Sequence, residues 1–306
     1  MQVLSGGASF AAGSGGASSA AGSGGANAAA GSAGGGAKCA WKEELAEQGF
    51  VVFPAHIGQA LAKRGAGAIR SRVQHVLKLY GIKDAKDVGS ELRHAAKHFG
   101  KSPPGWTGPA FGGFDKRGWQ ISVGNGRMFA NWSNQDIFLI REATRSIACD
   151  WHGVPGSTLQ SHPESCSMKV SGCPALAAHV DGARVGTLQI VIALSKTKGI
   201  VWPGSHKHGI GQNSQKFYKL TNDDFNFLKS KGCEEKEVDL DVGDVLVFLG
   251  GVMVHGSPAI GQGEAPRIMT YAHWLVKDAP GSAEGSGAAA SAEGSGSHPG
   301  TIEDLY

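Results

Sequence analysis

The sequence lacks several features that would at once assign it to a class of proteins. It has five cysteines among 306 residues and no Cys-x-x-Cys pair, which argues against a disulfide framework and for a reducing compartment. No run approaches the roughly 20 apolar residues of a membrane span, and the start of the chain lacks the basic and then apolar stretches of a secretory signal. We therefore expect an intracellular, cytoplasmic protein without a membrane segment. Targeting to an organelle by a Ser/Ala-rich signal is the alternative.

The two ends of the chain have few large apolar side chains. Residues 1–38 and 279–306 consist mainly of Gly, Ala and Ser. Such segments bury too little apolar surface to offset the entropy of ordering a backbone. We expect both to be disordered tails around a single folded domain at 39–278, which is long enough to bury one core.

The net charge is small, at +3, but it is unevenly distributed. Residues 56–101 carry ten Lys and Arg against three Asp and Glu. We interpret this region as a solvated helix face, and a surface for an anionic partner is the alternative. Nucleic acid is not favoured, because the sequence pI of about 8.5 falls short of the usual basic signature of such proteins and no nucleic-acid-reading motif is present.

The first part of the folded region has helical patterning. A short helix is predicted at 42–48, a strand at 50–53 (FVVF), and an amphipathic helix over 57–80 from apolar residues at helical spacing. A further helix is predicted at 88–99, and the Pro/Gly-rich stretch 100–118 is predicted to be a loop.

After about residue 118 the patterning changes from helical to β. Residues 136–151 fit either helix or strand, and a helical insert is predicted within 221–231. The remaining short apolar runs are separated by Gly, Pro, Asp or Ser, as in strands: CSMKVSG, GTLQIVIALS, GIVW, KEVDLD, DVLVFL and RIMTYAHWLV. Helices followed by many short strands predict an α+β, mainly β, domain with an antiparallel sandwich or jelly roll.

A histidine and an aspartate stand one residue apart in the small-residue segment AAHVDGARVG. In a strand, His179 and Asp181 would project from the same face. Two histidines and one carboxylate form the facial triad of non-haem iron oxygenases, although a His-x-Asp pair alone is a weak signal. His255 supplies a second histidine on a distant predicted strand. Arg267, at the start of the next strand, is the kind of fixed guanidinium that a carboxylate co-substrate needs; a surface charge is the alternative.

Several motifs follow one another along the chain: His179-Val-Asp181, WPGSH at 202–206, GD and HGS at 243–257, and Arg267. This ordered set resembles the phytanoyl-CoA dioxygenase-like branch of the iron(II)/2-oxoglutarate-dependent dioxygenases. The resemblance extends over about 45–276. It implies an oxidoreductase with a double-stranded β-helix (jelly roll) and N-terminal helices packed on one sheet. Fe(II), 2-oxoglutarate and O2 would be its cofactor and co-substrates.

The same resemblance implies roles for individual residues. His179, Asp181 and His255 would be the catalytic iron ligands. Arg267 and Ser257 would bind the distal carboxylate of 2-oxoglutarate, and Gln189 would make a polar contact with the co-substrate. His206 and His208 are not expected to be ligands, since the WPGSH turn leads away from the site. The sequence departs from the family pattern at 182–184 (GAR), so Arg184 would shape an unusual substrate pocket. Lys169, on the preceding strand, would face either the co-substrate or solvent.

The implied reaction is hydroxylation of a C–H bond in a small-molecule substrate, such as an acyl or other anionic compound, by a monomeric enzyme. Retention of Asp181 favours hydroxylation, because halogenating relatives replace that carboxylate with a small residue. The alternatives are a nucleobase- or nucleic-acid-modifying oxygenase, a non-catalytic binding module of the same fold, and a cupin-type enzyme of other chemistry, which would not need Arg267.

Overall fold

The computed structural model describes residues 37–79, 120–124, 134–161, 165–182, 187–212 and 217–276. Its helices are α1 (Ala37–Gln48), α2 (Gln59–Leu79), α3 (Gln135–Glu142), α4 (Arg145–His152) and α5 (Asn222–Ser230), with 3-10 turns at Gly156–Thr158 and Ser205–His208. Its strands are β1 (Phe50–Phe53), β2 (Gln120–Gly124), β3 (Leu159–Ser161), β4 (Ser165–Lys169), β5 (Leu176–Val180), β6 (Leu188–Ala193), β7 (Thr197–Val201), β8 (Tyr218–Lys219), β9 (Lys236–Leu240), β10 (Val245–Leu249), β11 (His255–Ser257) and β12 (Arg267–Val276).

The strands form two antiparallel sheets. The larger sheet has the order β1-β10-β6-β12-β4-β2, with β3 also paired to β12. The smaller sheet has the order β8-β5-β11-β7-β9. Strands that are distant in sequence are neighbours in both sheets, which is the arrangement of a jelly roll. The predicted fold class, mainly β with a double-stranded β-helix, is confirmed.

The larger sheet is buried on both faces. On β6, Leu188, Ile190 and Ile192 belong to a core that includes helix residues such as Leu45 and Ile69. The alternate residues Val191 and Ala193 pack in a second core with residues of β7 and β9. Because successive side chains of a strand point to opposite faces, the first set faces the helices and the second faces the smaller sheet. The N-terminal helices therefore cover one sheet, as predicted.

Most of the predicted elements coincide with observed ones. The strand at 50–53, the amphipathic helix and the insert within 221–231 are confirmed as β1, α2 and α5. The ambiguous stretch 136–151 contains two helices. Asn134 begins α3 by accepting a hydrogen bond from the N–H of Ile137 at 3.1 Å, and Gly153, with φ of 65°, ends α4 in the left-handed conformation.

Several predictions lie outside the described residues, namely the helix at 88–99, the loop at 100–118 and nearly all of the two tails. The first described helix begins at Ala37, two residues before the predicted start of the domain. In the parts of the chain that the structure describes, no helix is long and apolar enough to cross a membrane.

A turn at Gly243–Asp244 joins the N-terminal segment to the sheet. Gly243 has φ of 96°, and a Cβ there would lie 2.1 Å from the carbonyl oxygen of Ile57, so glycine is required. The carboxylate of Asp244 accepts hydrogen bonds from the N–H groups of Ala55 at 2.7 Å and Asp241 at 2.8 Å. One side chain thus positions both the start of β10 and the segment after β1.

We predict that Asp244→Ala lowers the free energy of unfolding by about 2–4 kcal/mol, because two backbone donors lose a charged acceptor. Chemical denaturation of the full chain measures this change. Asp239→Ala is the matched control, since Asp239 is 82% exposed and only 3.5 Å from Lys198 in a surface ion pair; it should change stability by less than about 1 kcal/mol. Equal effects of the two substitutions would contradict the role given to Asp244.

Candidate metal centre

The His-x-Asp pair and the distant histidine meet at one point of the smaller sheet. β5 and β11 are antiparallel neighbours, and His179 and His255 are direct register partners. Asp181 follows the last residue of β5. Opposed residues of an antiparallel pair project from the same face, so the two imidazoles stand side by side with the carboxylate.

The three side chains offer ligand atoms that all lie within 4.8 Å of one another. Asp181 Oδ1 is 3.4 Å from His179 Nε2, and Asp181 Oδ2 is 3.2 Å from His255 Nε2. Donors bound to one ion at about 2.0–2.2 Å and at right angles would be about 3 Å apart. The observed separations therefore need little adjustment to hold a metal ion.

Backbone carbonyls fix the orientation of both imidazoles. His179 Nδ1 lies 2.8 Å from the carbonyl oxygen of Ala177, and His255 Nδ1 lies 3.0 Å from that of Met253. A carbonyl oxygen only accepts, so each Nδ1 carries a proton, and each ring directs its Nε2 at the site. When both Nε2 atoms are unprotonated, their lone pairs and the carboxylate of Asp181 face one another, which suits a cation between them. Such contacts commonly fix the tautomer of metal-binding histidines.

The electrostatics of the site keep the carboxylate ionised. Burial alone would raise the pKa of Asp181, but the adjacent His255 and His179 outweigh it and hold that pKa well below its usual value. Burial, together with His255, lowers the pKa of His179. An ionised carboxylate beside a neutral buried imidazole is a suitable donor set for a divalent ion.

Aromatic rings pack against both imidazoles. The ring of Phe217 stacks on His179 with centroids 4.4 Å apart, and the ring of Phe248, on β10, lies 4.5 Å from that of His255. His179 is only 3% exposed and His255 12%, whereas Asp181 is 31% exposed. Access to the centre is therefore on the side of the carboxylate.

Two buried cations lie on the larger sheet near this centre. Lys169 at the end of β4 and Arg267 at the start of β12 are register partners, and both are nearly fully buried. Lys169 Nζ donates to Ser257 Oγ at 2.7 Å. The two terminal nitrogens of Arg267 donate to the carbonyls of Pro258 and Ala259, each at 2.9 Å. Both cations thus contact the segment that follows His255.

A tyrosine also faces the metal centre, and the sequence interpretation did not include it. The hydroxyls of Tyr271 and Ser167 form a hydrogen bond at 2.9 Å. Burial is the main cause that raises the pKa of Tyr271 to about 12, and the negative charge of Asp181 contributes. The alternation of β12 would have placed Tyr271 on the same face as Arg267, since the two are four residues apart.

The other residues singled out in the sequence lie on the larger sheet, in a 3-10 turn or outside the described residues. Gln189 is buried on β6, between its register partners Phe248 and His273, on the face directed toward the smaller sheet. Arg184 lies outside the described residues. His206 and His208 occupy a 3-10 turn, where His206 Nε2 hydrogen-bonds the carbonyl of Ala46 and His208 packs against an aromatic ring of α5. Among the described residues, only His179, Asp181 and His255 form a potential metal-binding group.

No protein-family model matches this chain, and no curated protein matches it. Solved structures do. The epimerase SnoN in complex with Fe3+, alpha ketoglutarate and nogalamycin RO is 15% identical with a TM-score of 0.51, over 79% of this chain and 84% of SnoN. AviO1 from Streptomyces viridochromogenes Tue57 is 19% identical with a TM-score of 0.50, over 79% of this chain and 96% of AviO1.

The chain shares the fold of these two proteins. At such identities the likeness shows the fold alone, and it does not single out the phytanoyl-CoA dioxygenase-like branch to which the sequence motifs are similar. One of the two, SnoN, is a protein solved with iron and alpha ketoglutarate.

We predict that His255→Ala weakens binding of Mn(II) by more than about 100-fold. Removing only a hydrogen-bond partner of a metal ligand lowers metal affinity by up to about 100-fold, and removing the ligand itself should lower it more. Titration calorimetry on the full chain measures the affinity. His208→Ala is the control and should bind Mn(II) like the wild type, because that histidine contacts Phe227 rather than the centre. Retained affinity in the His255 variant would show that the ion binds elsewhere.

Proposed function

We propose that the protein is an iron(II)- and 2-oxoglutarate-dependent oxygenase that hydroxylates a C–H bond of a small molecule. The observation that carries the proposal is the convergence of His179, Asp181 and His255 in a jelly roll, with buried Lys169 and Arg267 on the neighbouring sheet. A cupin-type enzyme with other chemistry would not need Arg267.

The donor set fits iron(II). His179, His255 and Asp181 would hold the ion through two imidazole nitrogens and one carboxylate oxygen, which is the ligand set of non-haem iron oxygenases. Bound iron would supply the redox chemistry in which O2 is reduced while 2-oxoglutarate is oxidised to succinate and carbon dioxide.

The protein's own residues bind and orient the reactants. Arg267 and Ser257 would hold the distal carboxylate of 2-oxoglutarate, and Gln189 would offer a polar contact on the same wall. The carbonyls of Ala177 and Met253 keep the imidazoles in the ligating tautomer. Phe217 and Phe248 shield those rings from water, which strengthens the electrostatic interactions of the site.

The reaction outcome has two candidates at the same C–H bond. Retention of Asp181 among the ligands supports hydroxylation over halogenation, because the carboxylate occupies the position that halide would need. The fold is also that of SnoN, which is an epimerase solved with nogalamycin RO, and this favours epimerisation as the second candidate. That bound compound also supports a small-molecule substrate rather than nucleic acid.

Succinate production tests the proposal. The full chain, loaded with iron(II) and supplied with 2-oxoglutarate and O2, is incubated with a metabolite mixture and analysed by mass spectrometry. We expect succinate together with a product 16 Da heavier than its substrate. Because epimerisation leaves the substrate at its original oxidation state, O2 reduction then needs two further electrons from an added reductant such as ascorbate. Succinate with an isomeric product of unchanged mass, formed only when that reductant is supplied, would favour epimerisation. Absence of iron-dependent succinate in every mixture would favour a non-catalytic binding module.

We predict that Arg267→Ala raises the KM for 2-oxoglutarate about 30- to 4,000-fold and leaves metal affinity nearly intact. Removing one partner of a buried charge pair costs about 2–5 kcal/mol, and each 1.4 kcal/mol is tenfold. Arg267→Lys should recover only part, since an ammonium cannot reproduce the planar fork of donors. Succinate formation against 2-oxoglutarate concentration, at fixed iron, gives the KM.

Arg64→Ala is the control for the loss of an arginine. Its guanidinium pairs with Asp136 on the surface at 3.0 Å, and its side chain is 57% exposed. It should keep the wild-type KM. A wild-type KM for Arg267→Ala as well would remove Arg267 from the co-substrate site.

A further inference from the structure

The outer face of α2 carries a row of cations without ionic partners. The helix contains five Lys and Arg and no Asp or Glu. Lys63, Arg70 and Lys78 are exposed, and none of them forms an ion pair within the described part of the chain. They are seven and eight positions apart, or about two helical turns, so neighbouring members of the row are separated by about 10.5 and 12 Å along the helix axis.

The row is a fixed surface, because the opposite side of α2 is anchored in the core. Ile69 and Val73 are buried there, and a Cβ at Gly65 would lie 2.5 Å from the side chain of Ile140. A Cβ at Gly67, by contrast, would meet nothing within 4 Å. Gly67 lies within the row of cations, so this part of the row faces open space.

An acidic segment of the same chain matches the row in charge. Residues 278–306 include five Asp and Glu and no Lys or Arg, and the acidic residues are Asp278, Glu284, Glu293, Glu303 and Asp304. The Gly/Ala/Ser-rich segment 1–38 has no acidic residue. Of the two ends of the chain, residues 278–306 are therefore the one that the basic row attracts.

The spacing of the acidic residues allows several ion pairs at once. Glu284, Glu293 and Glu303 are nine and ten positions apart. A Gly/Ser-rich chain of nine or ten residues has a root-mean-square end-to-end distance of about 15–19 Å, which exceeds the distances of about 10.5 and 12 Å between neighbouring cations. Three carboxylates can therefore meet three cations without stretching of the chain between them.

The acidic segment also starts from the core that α2 covers. β12 ends at Val276, whose side chain packs on the core to which Ile69 and Val73 of α2 belong. Glu303 is 27 positions after Val276, and a Gly/Ser-rich chain of that length has a root-mean-square end-to-end distance of about 26–31 Å. This distance is comparable with the length of α2, about 31 Å, so the whole row is within reach.

We propose that residues 278–306 dock on the basic row of α2 in the same chain, with their carboxylates paired to Lys63, Arg70 and Lys78. The contact makes the row unavailable to other anions such as nucleic acid. It does not depend on the proposed function, since α2 packs on the face of the larger sheet that is turned away from the metal centre.

Tethering offsets the weakness of the single ion pairs. Exposed ion pairs contribute little each and are screened by salt. A Gly/Ser-rich tether, however, holds the acidic segment at an effective concentration on the order of millimolar, and the first pair brings the next carboxylate close to its cation. The contact should therefore form at low ionic strength and be lost at high ionic strength.

Photocrosslinking from the row tests the proposal. Benzoylphenylalanine replaces Gln74, an exposed residue of α2 between Arg70 and Lys78, in the full chain. The control carries it in place of Asn226, an exposed residue of α5, which packs with strands of the smaller sheet. Equal amounts of isotope-labelled and unlabelled chain are mixed, so that mass spectrometry separates crosslinks within one chain from crosslinks between two.

At about 0.1 M salt we expect crosslinks from position 74 to residues 278–306 of the same chain, and far fewer from position 226. Raising the salt to about 1 M shortens the Debye length from about 10 to about 3 Å and should remove most of them. Arg70→Glu with Lys78→Glu should reduce them at least about 3-fold, and adding Glu303→Lys with Asp304→Lys should restore part of the loss. Lys196→Glu, at a side chain that is 84% exposed after β6, should leave them unchanged.

Three outcomes would overturn the proposal. Crosslinks that join a labelled chain to an unlabelled one would assign the row to a second copy of the chain. Equal crosslinking from positions 74 and 226, or crosslinking that persists at high salt, would show contact without electrostatic docking on α2. Absence of crosslinks from position 74 to residues 278–306 would leave the row to an external polyanion such as nucleic acid.

Discussion

The pairing of β5 with β11 is the constraint on which the rest of the site depends. The register that sets His255 opposite His179 brings together residues that lie 76 positions apart in the chain. A shift of one residue would turn one imidazole to the opposite face of the sheet. The carbonyls of Ala177 and Met253, each two residues before its histidine, belong to the same two segments, so the backbone that sets the register also sets the tautomers.

The smaller sheet contributes the candidate metal ligands, and the larger sheet contributes positive charge. Ser257 links the two, since it lies two residues after His255 and accepts a hydrogen bond from Lys169 of the other sheet. Pairing between β11 and β5 shifts register between His255 and Ser257. The proposed site, with a metal at one end and a carboxylate at the other, would span the gap between the sheets, and the packing of the sheets would set the distance between its parts.

The sequence was sufficient to predict the fold, because short β-rich runs separated by turn residues are local signals. The triad was predicted from the His-x-Asp pair, a distant histidine on another predicted strand and the resemblance to a known family. It was ambiguous at 136–151, where short helices depend on Asn134 and Gly153 as caps more than on periodicity. It did not assign Lys169 or include Tyr271, since their neighbours come from strands far away in sequence and only the register of β12 with β4 brings them together. The roles of Arg267, Ser257 and Gln189 in co-substrate binding stay predictions.

The central claim is that one site binds a metal and 2-oxoglutarate together, with the 2-oxo acid at the metal and the distal carboxylate at Arg267. The most direct measurement is calorimetric titration of 2-oxoglutarate into the full chain, without O2, in the presence and absence of iron(II). The account predicts that iron strengthens 2-oxoglutarate binding and, because coupling is reciprocal, that 2-oxoglutarate strengthens iron binding by the same factor. Equal affinity for 2-oxoglutarate with and without iron would contradict it.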